Sequence, residues 1–388
     1  MWLVGCRLLR RREPDERIPI PSTSLIMSLK PSIYWLFVFI PVTLALEHLG
    51  HLPAPVIFFS AALSIIPIAA LIERSTGHLA THTGDALGGL LSATFGNAPE
   101  LIMALVALKA GYFDMVRATI VGTILANLLL VIGTAFLFGG LRHHDQDFST
   151  SAARVYSSMM LIAVMSLAVP SAFSRILTPE SMVRQEHLLN IGIVVVLLLA
   201  YVLYLFFMLK THPAYFASVG GEANSHDHGT PWGLGRSVGS LLGATVLVAC
   251  MSEILVGAAE GTGKAMGLSQ TFMGIVFLSI IGGAAQSIPA VGMARKNKMD
   301  LTVSMLMGSC IQIVLFVSPV LVLASFLMSP EPLMLSFNRV ETGALFVGVL
   351  LATVVCGDGR SNWYKGVQLV TVYLIIALMF YFIPEVSK

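Results

Sequence analysis

Long apolar stretches separated by short polar connections run through nearly the whole chain. A membrane-spanning helix needs about 20 mostly apolar residues, and the pattern predicts eleven such helices. The predicted spans cover residues 33–50, 54–72, 88–110, 116–140, 154–173, 187–209, 236–260, 270–294, 300–328, 340–356 and 364–383. The chain is therefore predicted to be an all-α polytopic membrane protein.

The composition supports this prediction and excludes a water-soluble fold. Of the 388 residues, 56% are hydrophobic and only 11% are charged, with a mean hydropathy of +0.84. Soluble globular domains carry roughly 25% charged residues. The polar connections are too short for a catalytic domain, and no glycine-rich loop ends in Lys-Ser or Lys-Thr to bind phosphate. We therefore expect neither an enzyme nor an ATP-driven pump, and no cofactor.

Basic residues are distributed unevenly between the two sets of connections. With the N-terminus inside, sixteen Lys and Arg fall on the inner side and seven on the outer side. Because short loops rich in Lys and Arg stay in the cytosol, we predict a cytoplasmic N-terminus and an outward C-terminus. The expected location is the plasma (inner) membrane. Residues 1–32 lack the apolar stretch and cleavage site of a signal peptide. They are interpreted as a cytosolic arm, with Met27 as an alternative start.

An internal repeat appears when the chain is shifted by 186 residues. Gly96 then aligns with Gly282, and Glu100 aligns with Gln286. Further pairs are Ala98 with Ala284, Asp114 with Asp300, Gly122 with Gly308, Thr123 with Ser309 and Leu129 with Leu315. The two motifs lie on the third and eighth predicted spans, which enter the membrane in opposite directions. The pattern therefore predicts an inverted repeat, as in many transporters.

Each copy of the repeat carries a small-residue motif in the middle of a span. The first motif includes Gly96, Asn97 and Pro99, and the second includes Gly282 and Gly283. Glycine allows close backbone approach, and proline cannot donate a backbone hydrogen bond. We expect both helices to be broken at their motifs and to meet near the bilayer centre, where irregular backbone lines a site.

Glu100 is the leading candidate for chemistry at this site. A carboxylate at bilayer depth costs several kcal/mol unless it is solvated, paired or protonated, so we interpret Glu100 as an ion- and proton-binding residue. The alternative is a structural hydrogen bond between helices. Oxygen groups around it, from Asn97, the carbonyls around Gly96 and the hydroxyls of Ser92 and Thr94, favour a hard cation such as calcium. Gly282, Gly283 and Gln286 of the second motif belong to the same predicted site. Burial also raises the proton affinity of a carboxyl group.

Other acidic residues are weaker candidates. Glu253 and Glu260 are seven residues apart and share a face of the seventh span, and Glu253 is predicted to be a second ion-binding and proton-coupling group. Glu73 and Glu260 lie nearer to span ends. His78 and His82 have i, i+4 spacing but lack the neighbouring acid of a zinc hydrolase, so we predict no bound metal other than the transported cation.

Several motifs together resemble the calcium/proton exchangers of the cation/calcium exchanger superfamily. They are "GGLLSATFGNAPELI", "SEILVGAAEGTGKAMGLSQTFMGIVFLSIIGGAAQS", "KNKMDLTVSMLMGSCIQIVLFVSP", "THPAYF" and "GRSNWYKGVQLVTVYLIIALMFYFIPE". The resemblance implies an eleven-helix, 1+5+5 inverted-repeat fold that exports cytosolic calcium in exchange for protons by alternating access. It places the family's first-repeat Asn and Glu on Asn97 and Glu100, and its further acidic positions on Glu73, Glu253 and Glu260.

On this resemblance the chain divides into five parts. Residues 1–32 are the arm, 33–53 the extra first helix, 54–209 the first repeat, 210–235 a cytosolic linker and 236–384 the second repeat. The expected partners are the lipid bilayer, cations and protons, and nucleic acid is not expected. The oligomeric state is left open.

The second motif departs from the family pattern of Gly-Asn-Ala-Ala-Glu-His. Asn, Glu and His are replaced by Gly283, Gln286 and Ser287. Gln286 keeps a carbonyl oxygen but cannot titrate, and the loss of a charge weakens binding of a divalent ion more than of a monovalent ion. Three functions remain open: a calcium/proton antiporter with an altered site, a monovalent cation/proton antiporter, and a non-transporting relative that binds or senses ions.

Overall fold

The computed structural model describes residues 33–49, 52–173, 182–212, 232–329 and 331–383. The predicted arm (residues 1–32), with the alternative start Met27, lies outside the described residues. Most of the predicted linker (residues 210–235) does so too.

The described residues form eleven helical segments. They are α1 (Phe39–Leu49), α2 (Ala54–Phe95), α3 (Ala98–Lys109), α4 (Phe113–His143), α5 (Thr150–Phe173), α6 (Met182–Phe206), α7 (Leu234–Met266), α8 (Gln270–Arg295), α9 (Met299–Met328), α10 (Arg339–Cys356) and α11 (Trp363–Phe382). Among the described residues, nine of these helices, all except α1 and α3, are long and apolar enough to cross a membrane. A 3-10 turn, Ile33–Val38, leads into α1, and a π-helical turn, Phe207–Thr211, extends α6.

α2 is longer than one membrane crossing and contains a reversal of chain direction. Its 42 residues would make a straight helix of about 63 Å. A Cβ atom placed on Gly88 would lie 2.8 Å from the carbonyl oxygen of Ala80, although a straight helix rises about 12 Å over that interval. The chain therefore folds back between Ala80 and Gly88. This helical reversal replaces the loop expected between spans 54–72 and 88–110.

The first helices of the two copies, α2 and α7, run antiparallel. At one end, a Cβ atom on Gly261 would lie 2.8 Å from Cβ of Ala54. At the other end, Nε2 of His82 is 2.7 Å from the carbonyl oxygen of Trp232. This is the arrangement that an inverted repeat requires, because equivalent helices must cross the membrane in opposite directions.

The connections after α4, α8 and α10 meet at one end of the bundle. A small antiparallel sheet pairs β1 (Asp145–Asp147) with β2 (Arg360–Asn362). Nε2 of Gln146 donates to the carbonyl oxygen of Ala294 at 2.9 Å and to Oδ1 of Asn297 at 2.8 Å. All three connections therefore lie on the same side, as the predicted topology requires. The hydrophobic pattern does not predict the sheet, because each strand has only three residues.

Within the described part of the chain, buried side chains form two hydrophobic clusters. The smaller cluster lies mainly between α2 and α7, and the larger one fills the space among the remaining long helices. The two helices that carry the motifs contribute to both clusters. α3 places Met103 in the smaller cluster and Ala107 in the larger one, and α8 places Ile281 in the smaller cluster and Ala290 in the larger one. The two motifs thus lie at the boundary between the clusters.

Candidate functional site

The first motif lies at a helix break. α2 ends at Phe95 and α3 begins at Ala98, with Gly96 and Asn97 between them. Pro99 follows in the first turn of α3. Proline has no N–H to donate, and its ring clashes with the carbonyl four residues earlier, here that of Phe95. Pro99 therefore favours the break seen here, which the sequence predicts, although Pro67, Pro170 and Pro289 are accommodated inside continuous helices.

The second motif is not broken. The residues from Gly282 to Gln286 lie in uninterrupted α-helix, so the prediction of two broken helices is wrong for the second copy. Ala285 stands where the first copy has Pro99 under the repeat offset, and alanine is the residue that favours helix most. In α8 the motif is preceded by a π-helical turn, Met273–Leu278, and followed by Pro289, which lies inside the helix.

Glu100 is buried at the contact between the two motifs. It lies in the first turn of α3 and is 4% exposed. A Cβ atom on Gly282 would lie 2.9 Å from Cγ of Glu100, so a glycine is needed there to leave room. Neither carboxylate oxygen has a hydrogen-bond partner among the described residues. Because a buried ionised carboxylate without partners is strongly unfavourable, this position requires a cation or a proton.

Gln286 connects the two motifs directly. Its Nε2 donates to the carbonyl oxygen of Gly96 at 2.6 Å and to Oδ1 of Asn97 at 3.4 Å. Its Oε1 is buried and has no hydrogen-bond partner in the described part of the chain. Gln286 is one helical turn after Gly282 and so shares its face of α8. Three buried oxygens, two from Glu100 and one from Gln286, are therefore available to a ligand.

Asn97 is the centre of a buried network of amide and hydroxyl groups. Its Nδ2 donates to Oε1 of Gln312 at 2.6 Å, and its Oδ1 accepts from Oγ of Ser309 at 2.6 Å. Nδ2 of Asn127 donates to the same Ser309 oxygen at 3.3 Å. A side chain at Gly283 would meet Oδ1 of Asn127 at an ordinary 3.5 Å. The network fixes the position of Asn97 at the helix break.

Asn127, Ser309 and Gln312 are site residues that the sequence patterns do not predict. All three are polar residues inside long apolar spans, and Ser309 and Gln312 share a helix face through their i, i+3 spacing. The structure adds a second signal. Asn127 lies in the π-helical turn Ala126–Val131, and Gln312 directly precedes the π-helical turn Ile313–Val317. The two turns correspond to within one residue under the repeat, and π-helical turns are frequent at functional sites.

Glu73 is the second acidic residue that is linked to the site. It is half-buried on α2, and its carboxyl group interacts electrostatically with Glu100. The sequence predicts only a secondary role for Glu73, because this residue lies near the end of a predicted span. The continuation of α2 beyond that point keeps Glu73 inside the helix pair.

Glu253 and Glu260 lie away from the site, which corrects the predicted position of Glu253. The side chain of Glu253 is 60% exposed, and its Oε1 is 3.4 Å from Nζ of Lys109. α7 instead buries the adjacent Ser252, and consecutive helical residues point about 100° apart. Glu260 accepts from Oη of Tyr112 at 3.1 Å and pairs with Lys264 at 2.6 Å. Both glutamates therefore contact the end of α3 and the start of α4.

Equivalent helix crossings in the two copies differ. At Gly122, α4 is so close to α8 that a Cβ atom would overlap the backbone of Ile275. Gly308 occupies the same position in the second copy, and no atom of the described residues outside its own stretch of helix lies within 4 Å of the position of its Cβ. The close backbone contact at Gly122 therefore has no equivalent at Gly308, although Gly308 is itself buried.

The chain is similar to known transporters over almost its whole length. Residues 53–210 and 236–382 match the family described as sodium/calcium exchanger protein. A Ca(2+)/H(+) antiporter of Aphanothece halophytica is 41% identical over 369 residues, which cover 92% of this chain and 97% of that protein. The Ca(2+)/H(+) antiporter ChaA of Bacillus subtilis (strain 168) is 36% identical, with 89% and 98% covered.

A solved structure gives the same result for the fold. The structure of native YfkE matches with a TM-score of 0.77 and 34% identity, covering 91% of this chain and 100% of that one. The all-α membrane fold with two inverted copies is thereby confirmed, and so is the resemblance that the motifs indicate. The chain belongs to the sodium/calcium exchanger protein family.

Proposed function

We propose that the protein exports calcium from the cytosol in exchange for protons, at the site around Glu100. The observation that carries this proposal is the buried Glu100 carboxylate, whose two oxygens have no hydrogen-bond partner among the described residues. A cation and a proton compete for the same oxygens, so binding of one displaces the other. The relatives named as Ca(2+)/H(+) antiporters support the same pair of ions.

The donor set fits a hard cation. Glu100 and Gln286 supply three buried oxygens, and calcium takes six to eight oxygen ligands from carboxylates, amide carbonyls and water. A divalent ion held by these oxygens faces one carboxylate, because Gln286 carries no charge.

Alternating access explains the difference between the two helix crossings. In an inverted repeat, exchanging the conformations of the two copies produces the opposite-facing state. The close backbone contact at Gly122 has no equivalent at Gly308, and such an asymmetry between the copies is what alternating access requires of any one state. The charge bias of the connections supports a cytoplasmic N-terminus, and the plasma (inner) membrane is the proposed location.

A monovalent cation/proton antiporter is the second candidate, and one observation favours it. Gln286 donates to Gly96 at 2.6 Å and holds the motifs together without adding charge. A singly charged ion with one Glu100 carboxylate would form a neutral site. A relative that binds ions without transporting them is the third candidate.

The test is ion uptake by reconstituted vesicles with an imposed pH gradient. We expect gradient-driven calcium uptake that exceeds sodium and potassium uptake, and Glu100→Gln is expected to abolish it. Glu253→Gln is the matched control, because Glu253 also contacts α3 but is exposed and paired with Lys109.

Each outcome identifies one of the three candidates. Sodium or potassium uptake without calcium uptake would support the monovalent antiporter. Calcium binding without flux of any of these ions would support the non-transporting relative. Normal calcium flux in Glu100→Gln would contradict the proposed role of Glu100.

A further inference from the structure

A basic and aromatic cluster surrounds Trp232, far along α2 and α7 from the contact between Ala54 and Gly261. The guanidinium carbon of Arg236 lies 4.3 Å from the centroid of the Trp232 ring, and that of Arg74 lies 5.0 Å from it. The imidazole of His78 stacks on the same ring with a centroid distance of 4.6 Å. We refer to these residues, together with His82, as the Trp232 cluster.

The positive charge of the Trp232 cluster is not balanced by acidic groups in the described part of the chain. Neither Arg74 nor Arg236 forms an ion pair there. Nε of Arg74 is buried without a hydrogen-bond partner among the described residues. The guanidinium carbons of Arg74 and Arg236 both lie within 5.0 Å of the same ring centroid. Like charges held this close repel one another, so the arrangement favours an anion that neutralises them.

The dimensions of the cluster allow both arginines to contact one tetrahedral oxyanion. Since both guanidinium carbons lie within 5.0 Å of one ring centroid, they are less than 10 Å apart. Two arginines that donate to oxygens of one phosphate are separated by roughly 8–9 Å, because each N–H···O contact is about 2.8 Å. Arg236 and His82 are exposed, which leaves an approach from solvent or from the membrane surface.

The position of the cluster matches the boundary of the membrane. The apolar stretch at the start of α2 covers residues 54–72, and Arg74, His78 and His82 follow within about three helical turns of its end. Tryptophan is enriched at this level of a bilayer, and arginine near the cytoplasmic leaflet attracts anionic lipids. We propose that the Trp232 cluster is a binding site for a phosphate group, taken from an anionic phospholipid headgroup or from soluble phosphate, that holds α2 against α7.

The test uses the fluorescence of Trp232 itself. The full chain has four tryptophans, and Trp2→Phe, Trp35→Phe and Trp363→Phe leave only the one in the cluster. The purified protein in uncharged detergent is titrated with short-chain phosphatidylglycerol, with short-chain phosphatidylcholine, and with inorganic phosphate. We expect a saturable fluorescence change with phosphatidylglycerol or with inorganic phosphate, and the ligand that saturates at the lower concentration identifies the source.

Substitutions in the same single-tryptophan background separate binding from a general effect of charge. Arg236→Gln and Arg74→Gln are each expected to weaken binding about ten- to a hundredfold, as for loss of a charge-assisted hydrogen bond. Arg154→Gln is the matched control, since Arg154 is exposed and follows the β1 connection; it is expected to bind as the parent does. Helix content by circular dichroism and elution volume show that each variant is folded.

Two results would overturn the proposal. The first is the absence of any saturable change with phosphatidylglycerol and with inorganic phosphate, as expected if carboxylates of the chain itself fill the cluster. The second is an equal response of the parent, Arg236→Gln and Arg154→Gln, which would show that the lipid acts through its net charge or as a detergent.

Discussion

Replacing Gln286 by glutamate distinguishes a divalent from a monovalent cargo. The substitution adds a second carboxylate beside Glu100 on the face of α8 that includes Gly282. It changes one amide to a carboxyl group of nearly the same size, so steric effects are small. The expected result depends on the charges that face each ion.

The magnitude can be worked from the contacts of Gln286. At about 4 Å and an effective dielectric constant of about 20, two unit charges interact by about 4 kcal/mol, so the new carboxylate attracts a divalent ion by about 8 kcal/mol and a monovalent ion by about 4. The new carboxylate also repels Glu100 in the empty site by about 4 kcal/mol. A bound proton relieves this repulsion, and a cation must replace that proton in order to bind. A protonated glutamate can still donate to Gly96, as Gln286 does at 2.6 Å, and loss of that bond costs about 1–3 kcal/mol.

The sum has opposite signs for the two kinds of ion. Calcium binding gains about 1–3 kcal/mol, or roughly 5- to 150-fold in affinity, whereas sodium or potassium binding loses a similar amount. The assay is the concentration dependence of calcium and sodium uptake into vesicles for the native protein and Gln286→Glu. Gln286→Ala is the control and is expected to weaken both ions by removing a ligand oxygen. Unchanged calcium affinity together with stronger sodium binding would refute the reasoning.

Three further perturbations address the network, the crossings and the connections. Asn97→Ala empties the centre of the amide network and is expected to slow transport at least about tenfold; a rate close to native would contradict this. Gly122→Ala is expected to destabilise the conformation seen here by about 1–3 kcal/mol, whereas Gly308→Ala fits this conformation and disfavours the opposite-facing one. Labelling of cysteines from each side of the membrane should therefore shift in opposite directions for the two variants. Identical shifts would refute this prediction. Burial alone would raise the pKa of Asp358, but hydrogen bonds from Lys365 to both carboxylate oxygens at 2.7 Å outweigh it and hold that pKa below its usual value. Because the folded pKa is lowered, the ion pair stabilises the fold above the unfolded pKa, and this stabilisation is lost as the pH falls through the folded value. Asp358→Asn should therefore lower Tm near about pH 7 and lower it less near about pH 3. An equal change in Tm at both pH values would contradict this.

Much of the architecture is predictable because it depends on properties that act locally. Long apolar runs become helices since every backbone group must be paired within the bilayer. The break before α3 is favoured by Pro99, which cannot donate a backbone hydrogen bond and whose ring clashes with the carbonyl of Phe95 in a regular helix. The repeat offset of 186 residues then fixes the opposite directions of α2 and α7, and with them the meeting of the two motifs.

The rest depends on distances between helices, which a linear pattern does not contain. Glu253 occupies an apolar span just as Glu100 does, but a rotation of about 100° from the buried Ser252 places it outside the site. Gln312 is not predictable, because a single amide in a long apolar helix has no signature of its own. The segment in which α2 reverses direction, between Ala80 and Gly88, reads as a loop in the sequence. The hydrophobic pattern does not show that the chain stays helical on both sides of the turn.

Proton release on calcium binding tests the shared use of Glu100 most directly. Calcium is added to the purified protein in weakly buffered solution, and protons are counted with a pH indicator for the native protein, Glu100→Gln and Glu253→Gln. We predict that calcium displaces protons from the native protein and from Glu253→Gln, and that Glu100→Gln releases none from the site. Equal proton release from Glu100→Gln and the native protein would show that cation and proton do not share this carboxylate.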